Sequence, residues 1–370
     1  MVNVNDLLRE SMRVKPESKR GARQKSTTPG GMVRMNYNEN CYGMSPKARE
    51  VLKKEMPENF MYQDFFAVEI RSKIAAFHHV SPDSVIIGTG SSGIIEMLGS
   101  VFLNYGDEVV YCDPTYEAFP DMISDNGGVR VPVPLTSDYR YDLDGMLAKV
   151  NERTKMVVIV NPNNPTGTCV RGDKVEAFIR KLPSHVVVVV DEAYFEYVTD
   201  PKHYSMIRLI QEDFDHPVVV LRTFSKIYGM AGLRIGYGVA DPVVIDALMK
   251  ASDAWNVSRA ATAAAEAALS DQDYVEEVRS LNAENRTFLC ERLRDLGCEV
   301  TEPAGNFIYF NPHCDSAMVK NALEYDDHIM IGAPDPAHNR VTIGTRTQNE
   351  AFLKGMEKIL KAQMRKDQIA

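Results

Sequence analysis

Long apolar runs are missing from this chain. No stretch is extended enough to cross a bilayer, and the amino-terminal residues lack the apolar core of a secretion signal, so neither export nor membrane insertion is expected. Cysteine is sparse: six thiols, at positions 41, 112, 169, 290, 298 and 314, have neither metal-ligand spacing nor the density of a disulfide framework. That usage fits a reducing cytoplasm and gives no metal site. Positive charge is in deficit, with a formal net charge of −9, which argues against nucleic acid as a partner. Arg13, Lys15, Lys19, Arg20, Arg23 and Lys25 do cluster, but locally and without interleaved aromatics, as in a solvated arm. What the chain has in quantity is apolar residues spread over its length. At 370 residues and 44% hydrophobic it can bury a large core, as two domains or as one large domain with a satellite.

The order of patterns predicts the architecture. A short helix at 5–13 and a polar stretch ending in TPGG make residues 1–34 an arm. A helix is expected at 66–78, and from residue 84 strand and helix alternate, with strands at 85–87, 108–112, 129–133, 156–160, 186–190 and 218–221 and helices at 94–103, 115–126, 142–150 and 173–182. Five consecutive valines at 186–190 read as a strand buried on both faces, so the sheet is mostly parallel and covered by helices. A long helix at 271–296, strands at 298–301, 306–310 and 341–345, and a closing helix at 349–366 describe a smaller α+β unit. The expected division is an arm at 1–34, a large α/β domain at 46–262, and a small α+β domain from 35–45 with 263–370.

Ligands of open α/β sheets collect at the carboxyl ends of the strands. There the chain places its chemistry. Strand 218–221 stops in Arg222-Thr223-Phe224-Ser225-Lys226: an amine next to hydroxyls, with Arg234 shortly after, which are donors suited to a phosphate. Strand 186–190 ends in Asp191, a carboxylate that is costly to bury without a cationic partner. Strand 156–160 runs into NPNNPTG, whose prolines and glycine fix a loop able to present an amide inward. The turn GTGSSG at 88–93 has two readings. It matches a dinucleotide fingerprint between strand and helix, with Asp113 ending the next strand, and it also serves any anion through backbone N–H groups and the Ser91 and Ser92 hydroxyls.

NPNNPTG at 161–167, DEAY at 191–194, TFSK at 223–226 and AGLRIGY at 231–237, in this order, resemble the class I/II aminotransferases of pyridoxal-phosphate fold type I. The likeness is strongest to the histidinol-phosphate aminotransferase branch and extends from MNYNEN at 35–40 to VTIGTR at 341–346. The resemblance implies pyridoxal 5′-phosphate as cofactor. Lys226 would carry it as a Schiff base and move the proton between Cα and C4′, Asp191 would pair with the pyridinium N1–H, and Tyr194 and Asn164 would hydrogen-bond the ring O3′. Tyr116 would stack on the ring. Ser91, Ser92, Thr223, Ser225 and Arg234 would hold the phosphate, with Tyr62 reaching it from a second subunit. Arg340 would grip the substrate carboxylate, Arg346 would support it, and Asn306 with Asn38 to Asn40 would line the substrate side.

The chain also departs from that branch. Gly332 stands where an arginine for the substrate phosphate is expected, and losing one charge-assisted hydrogen bond forfeits roughly 1.5–3 kcal/mol. The family's Tyr-Pro-Asp is Tyr62-Gln63-Asp64, its Asn-Glu-Asn-Pro is Asn38-Glu39-Asn40-Cys41, and an acidic pair in the phosphate turn is Ser92-Gly93. None of these removes a catalytic group. The expectation is therefore a homodimeric, cytoplasmic aminotransferase moving an amino group between an L-amino acid and a 2-oxo acid, with histidinol phosphate disfavoured as substrate. A racemase, lyase or oxidase on the same fold, and a dinucleotide-binding oxidoreductase, are the rival enzymes. A non-catalytic regulator would need a DNA-binding module, for which the arm offers no room.

Overall fold

In the computed structural model, residues 31–367 are described together with Leu8, Arg9 and Met12. Most of the helix expected at 5–13, the basic cluster and most of the arm lie outside the described residues. A seven-stranded sheet dominates. Its strands run in the order β2 (Val85–Gly88), β8 (Gly236–Val239), β7 (Val218–Thr223), β6 (Val187–Asp191), β5 (Thr154–Val160), β3 (Glu108–Asp113) and β4 (Val129–Pro134). β8 is antiparallel to both neighbours, and every other pairing is parallel. The continuous apolar runs explain this sheet: β2, β6 and β7 are buried at every position, because helices cover both faces.

One strand of this sheet was not expected from sequence. β8 reads Gly-Tyr-Gly-Val, with no β-branched run and two glycines. Both are needed. A Cβ on Gly236 would come within 2.5 Å of the Ser91 amide nitrogen, and one on Gly238 within 3.1 Å of the Ile86 side chain. The strand is thus specified by close approach to its neighbours rather than by propensity. It brings the start of the helix Gly90–Phe102 against the residues leading into β8.

A second core is built around a three-stranded antiparallel sheet, β12 (Asn339–Thr342), β10 (Phe307–Asn311) and β9 (Glu299–Val300), with helices Gln272–Asp295, Ser316–Asp326 and Arg346–Asp367. The strand expected at 341–345 starts and ends earlier, because Arg346 already opens the last helix. A two-residue strand, β1 (Val33–Arg34), pairs in parallel with β11 (Ile329–Met330). Met35 continues this contact, donating its N–H to Met330 O and accepting from Thr342 N, and its side chain is buried in the second core. Residues 36–44 are thereby anchored across the mouth of the large sheet.

Candidate active site

The parallel strands deliver their polar carboxyl-terminal residues to one edge. There they line a cavity of about 1350 Å³ that also takes in Asn36 to Glu39, residues 330–335, His338 and Arg340. Ser91 and Ser92, Tyr116, Asn164, Asp191, Tyr194, Thr223, Ser225, Lys226, Arg234 and Arg340 all face it. β2 lies at an edge of the sheet. A dinucleotide crevice forms where strand order reverses inside a sheet, so the first reading of the 88–93 turn loses its structural context.

The turn itself is shaped for close approach. Gly90 has φ +73°, and a Cβ there would stand 2.7 Å from an Arg234 guanidinium nitrogen. Arg234 is itself left-handed, with φ 55°, and donates to Ala231 O at 2.9 Å. Thr223 Oγ1 donates to Ser225 Oγ at 2.9 Å and accepts from Ser225 N at 3.1 Å. Tyr116 and Ser92 share a 3.3 Å hydroxyl contact. Backbone amides, hydroxyls and a guanidinium thus converge at the start of a helix, where the dipole favours an anion.

Lys226 Nζ donates to Tyr37 O at 3.2 Å and stands 5.4 Å from the centre of the Tyr194 ring. Asp191 is 2% exposed and accepts from Ala193 N at 3.0 Å. Burial pushes its carboxyl up to about 7, and the adjacent Glu192 adds to this, while the Ala193 amide and Lys226 pull the other way. No side-chain cation lies within salt-bridge distance of it among the described residues. Tyr194 OH accepts from Asn38 Nδ2 at 3.0 Å. Arg340 donates to Asn164 Oδ1 at 2.5 Å and to Asn36 O at 2.8 Å, and its buried Nε has no partner.

Four candidates fall elsewhere. Asn40 does not line the cavity and donates instead to Ile227 O at 2.8 Å and to Tyr274 OH at 3.1 Å. Asn306 is buried behind the 38–39 segment, donating to Asn38 O at 3.1 Å and Glu39 O at 3.3 Å, so it supports the wall without lining it. Arg346 lies outside the cavity, 3.7 Å over the Phe288 ring and 3.4 Å from Glu284. Tyr62 is 78% exposed, stacked on Trp255 at 4.6 Å beside Phe65 and Phe66, and does not reach its own chain's cavity.

Other residues escaped the sequence reading. Arg222, on β7, is buried between Glu192 at 2.8 Å and Glu196 at 2.7 Å, with Phe195 stacked beneath its guanidinium. Burial opposes its charge, but the two carboxylates more than offset this and raise its pKa. It locks the end of β7 to the residues that follow Asp191. Thr115 donates to Asn163 Oδ1 at 2.9 Å and meets Tyr141 OH at 2.7 Å, bracing the Asn164 loop. Tyr139, Tyr309, Asp335 and His338 form the far wall. A basic residue after a buried strand, as at Arg222, is the only one of these signals visible in the sequence.

A profile of the aminotransferase class I and II family matches residues 31–355. A histidinol-phosphate aminotransferase of Moorella thermoacetica is 37% identical over 333 residues, covering 89% of this chain and 86% of that protein. One from Akkermansia muciniphila is 36% identical over 343 residues, with 92% and 93% coverage. The crystal structure of histidinol-phosphate aminotransferase from Sinorhizobium meliloti in complex with pyridoxal-5′-phosphate superposes with a TM-score of 0.84 at 29% identity, over 90% of this chain and 91% of that one. The mostly parallel sheet with its smaller α+β unit is the fold of these neighbours. With the match extending over nearly the whole length, the chain belongs to the class I and II aminotransferases and is a pyridoxal-phosphate-dependent enzyme of that family.

Proposed function

We propose that the cavity is the transamination site, with Lys226 as its catalytic amine, and that one site serves both the amino-acid and the 2-oxo-acid half-reactions. The observation that carries this is Asp191. A buried carboxylate raised to about 7, in the same cavity as a lysine and an arginine, is the partner that a protonated pyridine nitrogen calls for. When bound, pyridoxal 5′-phosphate supplies an electron sink for negative charge developing at the substrate Cα.

The chain's own residues account for the rest. Asp191, with one oxygen fixed by the Ala193 amide, would hold the ring nitrogen protonated through the other. Ser91, Ser92, Thr223, Ser225 and Arg234 bind the phosphate, and the missing Cβ at Gly90 leaves room for Arg234 to close over it. Tyr116 covers one ring face. Tyr194 accepts from Asn38, which leaves its own O–H to donate to the ring hydroxyl. Asn164 spends its carbonyl on Arg340, so its amide N–H groups remain for the same oxygen. Arg340 fixes the amino-acid carboxylate, and its unpartnered Nε is a donor that this carboxylate satisfies. Lys226, held near the Tyr194 ring and the Tyr37 carbonyl, would take the proton from Cα and deliver it to C4′.

Tyr62 of the partner subunit completes the phosphate site in a homodimer. The exposed aromatic group Phe60, Tyr62, Phe65, Phe66 and Trp255 supports this, being the kind of surface that pairing buries. The same reading gives a cytoplasmic enzyme, an arm at 1–34, a large domain at 46–262 and a small one from 35–45 with 263–370. The test is spectroscopic. Protein loaded with pyridoxal phosphate is titrated with single amino acids, then with single 2-oxo acids. Loss of the cofactor band with the first and its return with the second, with one 2-oxo acid released per site, is expected. A racemised amino acid with the band unchanged, or peroxide in place of a return by the 2-oxo acid, contradicts transfer.

A further inference from the structure

The far wall of the cavity is a chain of hydrogen bonds converging on one carboxylate. Asp335 accepts from Tyr309 OH at 2.5 Å, from His338 Nδ1 at 2.9 Å, and from the Ala337 and His338 amides at 2.9 and 3.0 Å. Burial works against its charge, but Tyr309, His338 and the Ala337 amide hold it below the usual carboxylate range, so it is ionised. With Nδ1–H on Asp335, His338 Nε2 accepts from Tyr139 OH, 3.1 Å away. Tyr309 and His338 stack with ring centres 4.4 Å apart and planes 13° from parallel. Tyr139 is held at φ 61°, a conformation that a bulky residue adopts only under constraint, and strain of this kind clusters at ligand sites.

Every hydrogen in the cluster is therefore spent inward. What remains for the cavity is two phenol oxygens, the carboxylate's unshared pairs and the face of a stacked ring pair: acceptors and π-density, with no donor. The position is telling as well. Tyr309 is the cross-strand partner of Arg340 in the β10–β12 ladder, so both side chains project from the same sheet face. Gly332, bridged to Arg340, adds no side chain to that face, and the three atoms nearest to a Cβ built there belong to Arg340, at 3.3, 3.6 and 3.8 Å. At the rim carboxylates outnumber cations, with Glu117, Asp121 and Glu324 against Arg130 and Lys320, and Arg130 lies 3.7 Å from Asp121.

We propose that Tyr139, Tyr309, Asp335 and His338 form the specificity wall for the substrate side chain, and that they select basic amino acids, whose side chains end in N–H donors, over acidic ones. The proposal rests on the transaminase reading of the site with Arg340 on the α-carboxylate. A cationic end gains a carboxylate, acceptor oxygens and an aromatic face; an anionic end meets the Asp335 carboxylate and finds no donor in the cluster.

The test uses the full-length protein loaded with pyridoxal phosphate, with L-lysine, L-arginine and L-glutamate as probes, measuring kcat and KM together with calorimetric binding to Lys226→Ala. The basic amino acids are expected to bind at least about tenfold more tightly than glutamate, the size of one hydrogen bond to a charged group. Asp335→Asn should lose that preference through KM for the basic substrates while improving KM for glutamate, a reciprocal change that a misfolded variant cannot produce. Tyr309→Phe, which removes one donor and keeps the ring, should shift the preference the same way by less. Glutamate as the best wild-type substrate, or an equal fall in kcat for all three probes in Asp335→Asn, overturns the proposal alone. Conversion of no amino acid at all overturns the transferase reading and the proposal with it.

Discussion

The raised carboxyl of Asp191 makes the cofactor-free protein sensitive to alkali in a way that one substitution removes. The folded value, about 7, lies above the ordinary carboxylate value of 3.8, so the fold favours the protonated form. That preference is fully available below the unfolded value. As pH rises past it the unfolded chain ionises freely while the folded one cannot, and stability falls until the folded group has also ionised, above about 7. A shift of this size corresponds to about 4 kcal/mol at the upper limit of the window. Asp191→Asn has no charge to bury and keeps an oxygen for the Ala193 amide. At pH 4 the cofactor-free wild type and the variant should melt close together, whereas at pH 8 the variant should melt higher. For a chain of this length that difference in stability amounts to about 5 °C in Tm. Thermal scans of both cofactor-free proteins across this pH range make the measurement. A gap that does not widen with pH would refute the burial argument, and with it the reason for assigning Asp191 to a cationic ring.

Other consequences follow from single contacts. Gly90→Ala forces a side chain onto a left-handed residue and against Arg234, so affinity for pyridoxal phosphate should fall by about tenfold or more, read by equilibrium dialysis, with little change in the far-ultraviolet dichroism. Arg222→Met leaves Glu192 and Glu196 buried without their cation, and should cost about 3–5 kcal/mol in chemical denaturation. Arg340→Lys keeps the charge and loses the planar fork; KM for the amino acid should rise by roughly tenfold to a hundredfold, while the cofactor's absorbance is retained.

How much of this could be read from the sequence depended on whether the signal was local. The valine run before Asp191 announced a buried strand and the carboxylate at its end, because both lie in one short stretch. That TFSK and NPNNPTG would face one cavity was legible for the same reason: each loop carries its turn chemistry and its candidate side chain together. β8 was not, since Gly236 matters for the space that Ser91 occupies, and nothing in Gly-Tyr-Gly-Val encodes that neighbour. Arg346 was an understandable misplacement. It follows β12 closely in sequence, but the helix it opens turns it toward Phe288 and away from the cavity. The far wall was the least legible, because Tyr139, Tyr309 and His338 come from separate segments and meet only through folding. Their types alone read as ordinary packing aromatics.

The central claim is that Lys226, among all the lysines, is the amine that binds the cofactor and moves the proton. Borohydride reduction of the pyridoxal-phosphate-loaded protein, followed by proteolysis and mass spectrometry of the peptides, tests it directly. The account predicts a single stoichiometric pyridoxyl modification at Lys226, absent after preincubation with a converting amino acid. Stable modification at another lysine, or none at Lys226 in protein that shows the cofactor band, would contradict it.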